Sequence, residues 1–236
     1  MMRSARLFRL FLREQSDPDT FYSALASDAA DQLARYTAVR DRIVLDVGGG
    51  AGYLTREFRR RGARCYLFEP DPAELLSRGE PPDGSVLADG YWLPVRDGAA
   101  DICVSSNVLE HVADPRGLIE EMLRATRPGG LVYLSYTNWY SPWGGHEMSP
   151  WHYLGARAAE RRYQRAHGRP PKNRPGSTLF PVHVGPVLRM VRARRDVEVL
   201  CARPRYYPDW CGAVLLLPGI REIVTWNLLL ILRRTG

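Results

Sequence analysis

Apolar positions in this chain follow two periods that alternate along most of its length. Phe21, Leu25, Ala29, Leu33 and Tyr36 recur at helical spacing behind Asp17 and Pro18, a pair that opens helices, so a lead-in helix is predicted up to a boundary near Arg40. Short strand-like runs then follow: "RIVLDV", "RCYLFEP", "SVLAD", "DICVSS" and "LVYLSY". Helical patterns separate them after Gly52, near "PAELLS" and through "GLIEEMLRAT". Strands that alternate with helices predict a parallel sheet covered on both faces. The alternation stops at Asn138 and resumes with the amphipathic "HVGPVLRMVRA", the strand-like "DVEVLCARPRYY" and the apolar "TWNLLLIL". A long irregular segment inside an α/β plan commonly serves as a lid or binding element. The chain therefore divides into a helical lead-in (1–40), a core (41–137), an insertion (138–181) and a C-terminal part that completes the sheet (182–236).

Length and composition narrow this plan. With 236 residues, 45% of them hydrophobic, the chain suffices for one good core and is too short for two comfortable domains. The most apolar stretch, "AVLLLPGIREIVTWNLLLIL", is broken by Pro218, Arg221 and Glu222, so no transmembrane helix is expected. The N-terminal run spreads Arg among its apolar residues, unlike the apolar block of a secretory signal. Cys65, Cys103, Cys201 and Cys211 show no metal-ligand spacing and are expected to be reduced. A cytoplasmic protein is the expectation. All but one of the 33 Lys and Arg are Arg, and net charge is +7. Residues 156–175 hold six Arg and one Lys against one Glu, which fits either an anion-recruiting surface or a solvated helix face. Arg3, Arg6, Arg9 and Arg13 recur at helical spacing with Leu7, Leu10 and Phe11 elsewhere on the wheel. Residues 1–14 thus fit a membrane-surface helix or a packed one.

"IVLDVGGGAGYLT" places Gly48, Gly50 and Gly52 between a buried strand and a helix, where backbone can approach a ligand closely. The spacing is GxGxG, and Tyr53 takes the position where a dinucleotide fingerprint wants Gly or Ala. Glu69 closes the second strand, where a carboxylate can accept from both hydroxyls of a ribose. An adenosine-like ligand follows.

The motifs "VLDVGGGAGYLT", "FEPD", "ADGYWLPVRDGAADICVSSNVLEHVADP" and "LRATRPGGLVYLSY" resemble, in order, those of class I S-adenosylmethionine-dependent methyltransferases of the type 11-like group. The resemblance covers about Ile43 to Thr137. It implies a Rossmann-like, doubly wound seven-stranded sheet in the order 3-2-1-4-5-7-6, with the last strand antiparallel and supplied by "TWNLLLIL". It implies S-adenosyl-L-methionine as cofactor. Asp46, Gly48, Gly49, Gly50 and Gly52 would surround its methionine moiety and sulfonium, Glu69 its ribose, Asp89 and Gly90 its adenine, and Asn107 its methionine side. Asp89 equally fits a turn residue. Glu110 and His111 invite comparison with methyltransferases acting on RNA ends, whose motif is Glu-x-x-Glu-His. Asn107 stands at the first position here, so no metal is expected. The wording "GGHEM", "HYLG" and "KN…GS.LF" further resembles uncharacterised actinobacterial methyltransferases, including mycobacterial ones.

In the insertion, Trp139, Tyr140, Trp143, Trp151 and Tyr153 are candidate substrate walls, with Gly144 and Gly145 as hinges. His146, Glu147 and His152 are candidate catalytic groups. His146 fits either a base that contacts substrate or a structural hydrogen bond, and Pro150 excludes an HExxH zinc motif. The aromatic and basic residues together suggest O-methylation of an anionic glycan, glycolipid or envelope-related metabolite, small or lipid-linked, at the inner face of the membrane. The alternatives are an RNA methyltransferase, for which no separate RNA-binding domain is recognisable, and a non-catalytic cofactor-binding protein of the same fold.

Overall fold

Strands apolar on both faces set the architecture, because such strands must be covered on both sides. The computed structural model describes residues 2–14 and 16–236. Met1 and Gln15, which fall in the lead-in and, for Met1, in the stretch read as a membrane contact, lie outside them. The strands are β1 (Ile43–Val47), β2 (Arg64–Glu69), β3 (Val86–Leu87), β4 (Ala100–Ser106), β5 (Thr126–Thr137), β6 (Val197–Pro204) and β7 (Asn227–Arg234). They form one sheet in the order β3-β2-β1-β4-β5-β7-β6. β1 to β5 run parallel and β7 is antiparallel to both neighbours.

Side chains alternate between two cores. Val132, Leu134 and Tyr136 of β5, with Leu228, Leu230 and Leu232 of β7, pack on α5 (Pro115–Ala125) and α7 (Val184–Arg192). Leu131, Tyr133, Leu229 and Ile231 face α2 (Pro18–Ala34) and α3 (Tyr53–Arg60). The strand period of two therefore decides which helix layer each residue supports. α2 begins as predicted, with the Asp17 carboxylate accepting from Thr20 N at 3.2 Å and Pro18 in the first turn. It ends at Ala34, before the expected boundary.

The N-terminal helix α1 (Met2–Phe11) turns its apolar side inward. Leu7 is buried with Phe21 and Leu25, and Leu10 and Phe11 pack against them. Phe8 and Phe11 meet Trp143 and Trp226 edge-on, and Arg3 pairs with Asp28. Arg6, Arg9 and Leu12 stay exposed. A membrane contact through the apolar side would require α1 to leave its seat. No helix among the described residues is long and apolar enough to cross a membrane.

Residues 138–181 carry two short 3-10 turns, His146–Met148 and Trp151–Leu154, and then α6 (Ala156–His167). Trp139, Met148, Ala159 and Leu179 give the insertion a small core of its own. Its base is tied to the sheet: Asn138 N donates to Trp226 O at 3.1 Å and Trp139 N to Val182 O at 3.0 Å.

α7 begins without a side-chain cap from its own N-cap residue, His183. Glu222, in α8 (Ile220–Val224), supplies the cap instead, accepting from Val184 N at 2.8 Å and Gly185 N at 2.7 Å. A carboxylate bonded to two first-turn amides also opposes the helix dipole. Glu222→Ala is expected to cost about 2 kcal/mol, lowering the melting temperature by about 5 °C in calorimetry. An unchanged melting temperature would mean that water caps α7 equally well.

Candidate active site

The functional residues gather beyond the carboxyl ends of β1, β4 and β5, where neighbouring crossovers leave the sheet toward opposite faces. The turn after β1 is built by backbone conformation: φ is +72° at Gly48, +52° at Gly50 and +80° at Gly52. A Cβ at Gly48 would strike Val108 Cγ1 at 2.7 Å, so the turn after β4 packs directly on this loop. A Cβ at Gly50 would meet nothing within 4 Å, which leaves open space on that side of the loop. Gly52 N closes the turn onto Gly49 O at 2.9 Å.

Two carboxylates hold the loop in place. Glu69 is buried, and its Oε2 accepts from Gly50 N at 2.9 Å while Oε1 accepts from Asp71 N at 3.0 Å. Burial raises its pKa, and the two amides oppose that shift. Each oxygen keeps a further lone pair for a ligand hydroxyl. Asp46 is fully buried beneath the loop and accepts from Thr55 Oγ1 at 2.8 Å. Burial pushes its carboxyl up to about 7, and its Oδ1 lacks a partner among the described residues. Asp46 therefore buttresses the loop from below, whereas Glu69 stands at its side.

Asp89 is exposed after β3 and its Oδ1 accepts from Tyr91 N at 3.0 Å. It fills the turn role, with its second oxygen free of intramolecular bonds among the described residues. Gly90 packs so closely that a Cβ would lie 2.7 Å from Leu118 Cδ1. Asn107 follows β4 at φ +59°, a conformation that Asn tolerates better than most side-chain-bearing residues, and its Oδ1 accepts from Asn227 Nδ2 at 2.8 Å.

The insertion uses most of its conspicuous side chains internally. Trp139 is buried in the insertion core. Trp143 stacks on Trp226 with centroids 4.2 Å apart, and Tyr140 stacks on His183 at 4.8 Å. Trp151 is covered by the Arg162 guanidinium at 3.7 Å, while the Tyr153 hydroxyl donates to Tyr140 O at 3.0 Å. Glu147 accepts from both Asn173 N and Nδ2 at 2.8 Å. Burial raises its pKa, but the Asn173 bonds outweigh that and leave it lowered. His152 is buried beside Gly145 with Nε2 3.2 Å from Ser141 O, and burial lowers its pKa. Of the three candidate catalytic groups, only His146 reaches the end of β4. Its ring centroid lies 5.1 Å from that of His111, and burial, then His111, pushes its pKa down to about 4.

Glu110, weighed in the sequence only as part of a metal motif, is a central residue of the site. Its carboxylate is 2% exposed, Oε1 accepts from Thr137 N at 2.9 Å, and its own carbonyl accepts from Phe180 N at 2.8 Å. Burial raises its pKa. The signal was present in "NVLEH", but only the fold shows that both ends of the insertion converge on it.

The buried Asp46 generates a pH prediction. Its folded pKa lies above the unfolded value of about 4, so the folded state holds a proton that the unfolded chain has released, and stability falls as pH rises from about 4 to 7. Asp46→Asn removes this slope. In urea titrations from pH 5 to pH 7, the variant is expected to gain on the wild type by up to about 1.4 kcal/mol per pH unit. A gap independent of pH would rule out a protonated Asp46.

The methyltransferase domain family matches residues 45–134, from β1 to β5. An uncharacterised methyltransferase of Mycolicibacterium gilvum is 49% identical, with 100% of this chain and 95% of that protein covered. An S-adenosylmethionine-dependent methyltransferase structure from Mesorhizobium loti superimposes with a TM-score of 0.59 at 20% identity, covering 88% of this chain and 98% of that one. Geranyl diphosphate C-methyltransferase from Streptomyces coelicolor, in complex with Mg2+, geranyl diphosphate and S-adenosyl-L-homocysteine, gives 0.55 at 16% identity, covering 90% and 77%. The two structures share the fold, and the mycobacterial relative shares nearly half of its residues over the full chain. On that likeness, and with a glycine loop and acidic strand end of the required form, the chain belongs to the S-adenosylmethionine-dependent methyltransferases.

Proposed function

We propose that this methyltransferase acts on an oxygen of an anionic glycan, glycolipid or related envelope metabolite. The cofactor fits the residues present. Open space beside Gly50 admits it, Glu69 has lone pairs left for ribose hydroxyls, and the free oxygen of Asp89 with Gly90 flanks the adenine position. Asn107 and the Gly48–Gly52 loop would border the methionine end. S-adenosylmethionine supplies a methyl group on a sulfonium, open to in-line displacement by the acceptor. The protein's own task is to hold that acceptor at the end of β4, beneath the insertion, with water displaced.

One observation carries the acceptor class: the insertion exposes guanidinium groups on α6 next to the exposed side chains of Trp151, Tyr153 and Leu154. α6 exposes Arg157, Arg161, Arg162 and Arg165, and the last three of these line a groove together with Ala158 and Ala166. The segment bonded to Asn138 exposes Leu216, Leu217, Ile220 and Ile223, and Phe8 and Leu12 of α1 are exposed as well. Arg guanidinium groups favour phosphate or carboxylate, and exposed apolar side chains favour lipid. An amphipathic acceptor of this kind would place the enzyme at the cytoplasmic face of a membrane. Lys172 pairs at 2.5 Å with Glu74 of α4 (Pro72–Leu75), the short helix that follows Glu69, and so ties the insertion to that side of the sheet.

Calorimetric titration with S-adenosylmethionine is expected to show micromolar binding that Glu69→Ala weakens by about tenfold to a hundredfold, the loss of hydrogen bonds to a charged group. Absence of binding by the folded wild type would refute the cofactor site. Replacing Arg161 and Arg165 by Glu is expected to raise KM for anionic glycolipid acceptors about tenfold with kcat nearly unchanged, as assayed by transfer of labelled methyl. Labelled RNA in place of lipid, bound with steep salt dependence, would overturn the acceptor class.

A further inference from the structure

Glu110, His111 and His146 each bring one potential ligand atom into a cluster in which all three lie within 4.8 Å of one another. Two come from the turn after β4 and the third from the insertion. Glu110 Oε2 and His146 Nε2 are buried and lack hydrogen-bond partners among the described residues. His111 Nδ1 lies 2.6 Å from Thr178 O, so this nitrogen carries the proton and Nε2 keeps its lone pair. Such a backbone carbonyl behind a ring nitrogen is how imidazole ligands are oriented toward metals. A buried carboxyl oxygen and a buried imidazole nitrogen that both lack partners, beside the lone pair of a second imidazole, are costly to leave unsatisfied.

We infer that Glu110, His111 and His146 bind a first-row divalent transition metal. Two imidazoles and one carboxylate suit Zn2+, Co2+, Mn2+ or Fe2+ and disfavour Mg2+ and Ca2+, which take oxygen donors. Donors about 2.1 Å from an ion stand about 3 to 3.5 Å apart, so the cluster must tighten slightly. His146 is free to supply that movement, since its ring makes no hydrogen bond among the described residues. With three protein ligands the ion keeps open positions, which would take water or an oxygen of the acceptor. This second half rests on the acceptor reading above, whereas the metal site does not.

The test uses the full-length protein stripped with a chelator and titrated with CoCl2 and ZnCl2, followed by calorimetry and the visible absorption of bound Co2+. One equivalent is expected to bind, and Glu110→Gln and His146→Asn are each expected to weaken it at least about tenfold. Asn suits position 146 because it tolerates the positive φ of +50° found there. Titration of the same samples with S-adenosylmethionine shows whether each variant keeps its cofactor site, and separates failure of the metal site from failure of the methyltransferase reading. No binding by the wild type, or binding that neither variant changes, would overturn the site. Methyl transfer that persists at full rate in the stripped enzyme would overturn the acceptor-presenting role.

Discussion

The desolvated carboxylate of Glu110 is the constraint on which the site depends. A carboxyl in so dry a place must be bonded, and its Oε1 accepts from Thr137 N at the entrance of the insertion, while the backbone carbonyl of the same residue accepts from Phe180 N at the exit. A loop of some 40 residues would otherwise be costly to order. Closed on a single turn after β4, it becomes an appendage with fixed ends and a small core, and His146 is delivered to the carboxyl end of the sheet.

Around that turn, backbone conformations that are unfavourable alone are made to support one another. Gly48, Gly50 and Gly52 take positive φ after β1, and Asn107 takes one after β4. Val108 lies so close to Gly48 that neither turn could change without the other. Glu69 then links the loop to the end of β2 through the Gly50 amide. Three strand ends thus form one rigid rim on which a cofactor and an acceptor can be held in register.

The insertion divides its residues between self-support and display. Its indoles, Glu147 and His152 are largely consumed in stacking and hydrogen bonding, which is how a segment with little regular structure becomes ordered. What it displays is narrower: the guanidinium groups of α6 on its outside and one imidazole on its inside. A further buried guanidinium, Arg205, knits the sheet to α2 beneath the same site. It donates to Ser106 and Ser135 Oγ at 2.8 and 2.9 Å and to Leu25 O at 3.3 Å, so hydrogen bonds take the place of a counter-ion.

The sheet, its helices and the glycine loop were legible in the sequence because they rest on local rules: continuous apolar runs in "LVYLSY" and "NLLLIL", an Asp-Pro helix start, and glycines where side chains cannot fit. The strand order followed from the resemblance of four ordered motifs. What could not be read was which polar side chains face one another. Asp46 is buried against Thr55 beneath the loop, and Trp139 and Trp143 are taken up in packing, while Tyr140, Trp151 and Tyr153 keep exposed faces. Glu110 drew notice only as part of a metal motif whose first position is Asn107. These outcomes depend on contacts between residues far apart in the chain, Glu110 with Phe180 or His146 with His111, whose energies come from burial that no short window of sequence encodes. Local chemistry determined the scaffold and the kind of cofactor; desolvation in the folded state decided which groups remain free to act.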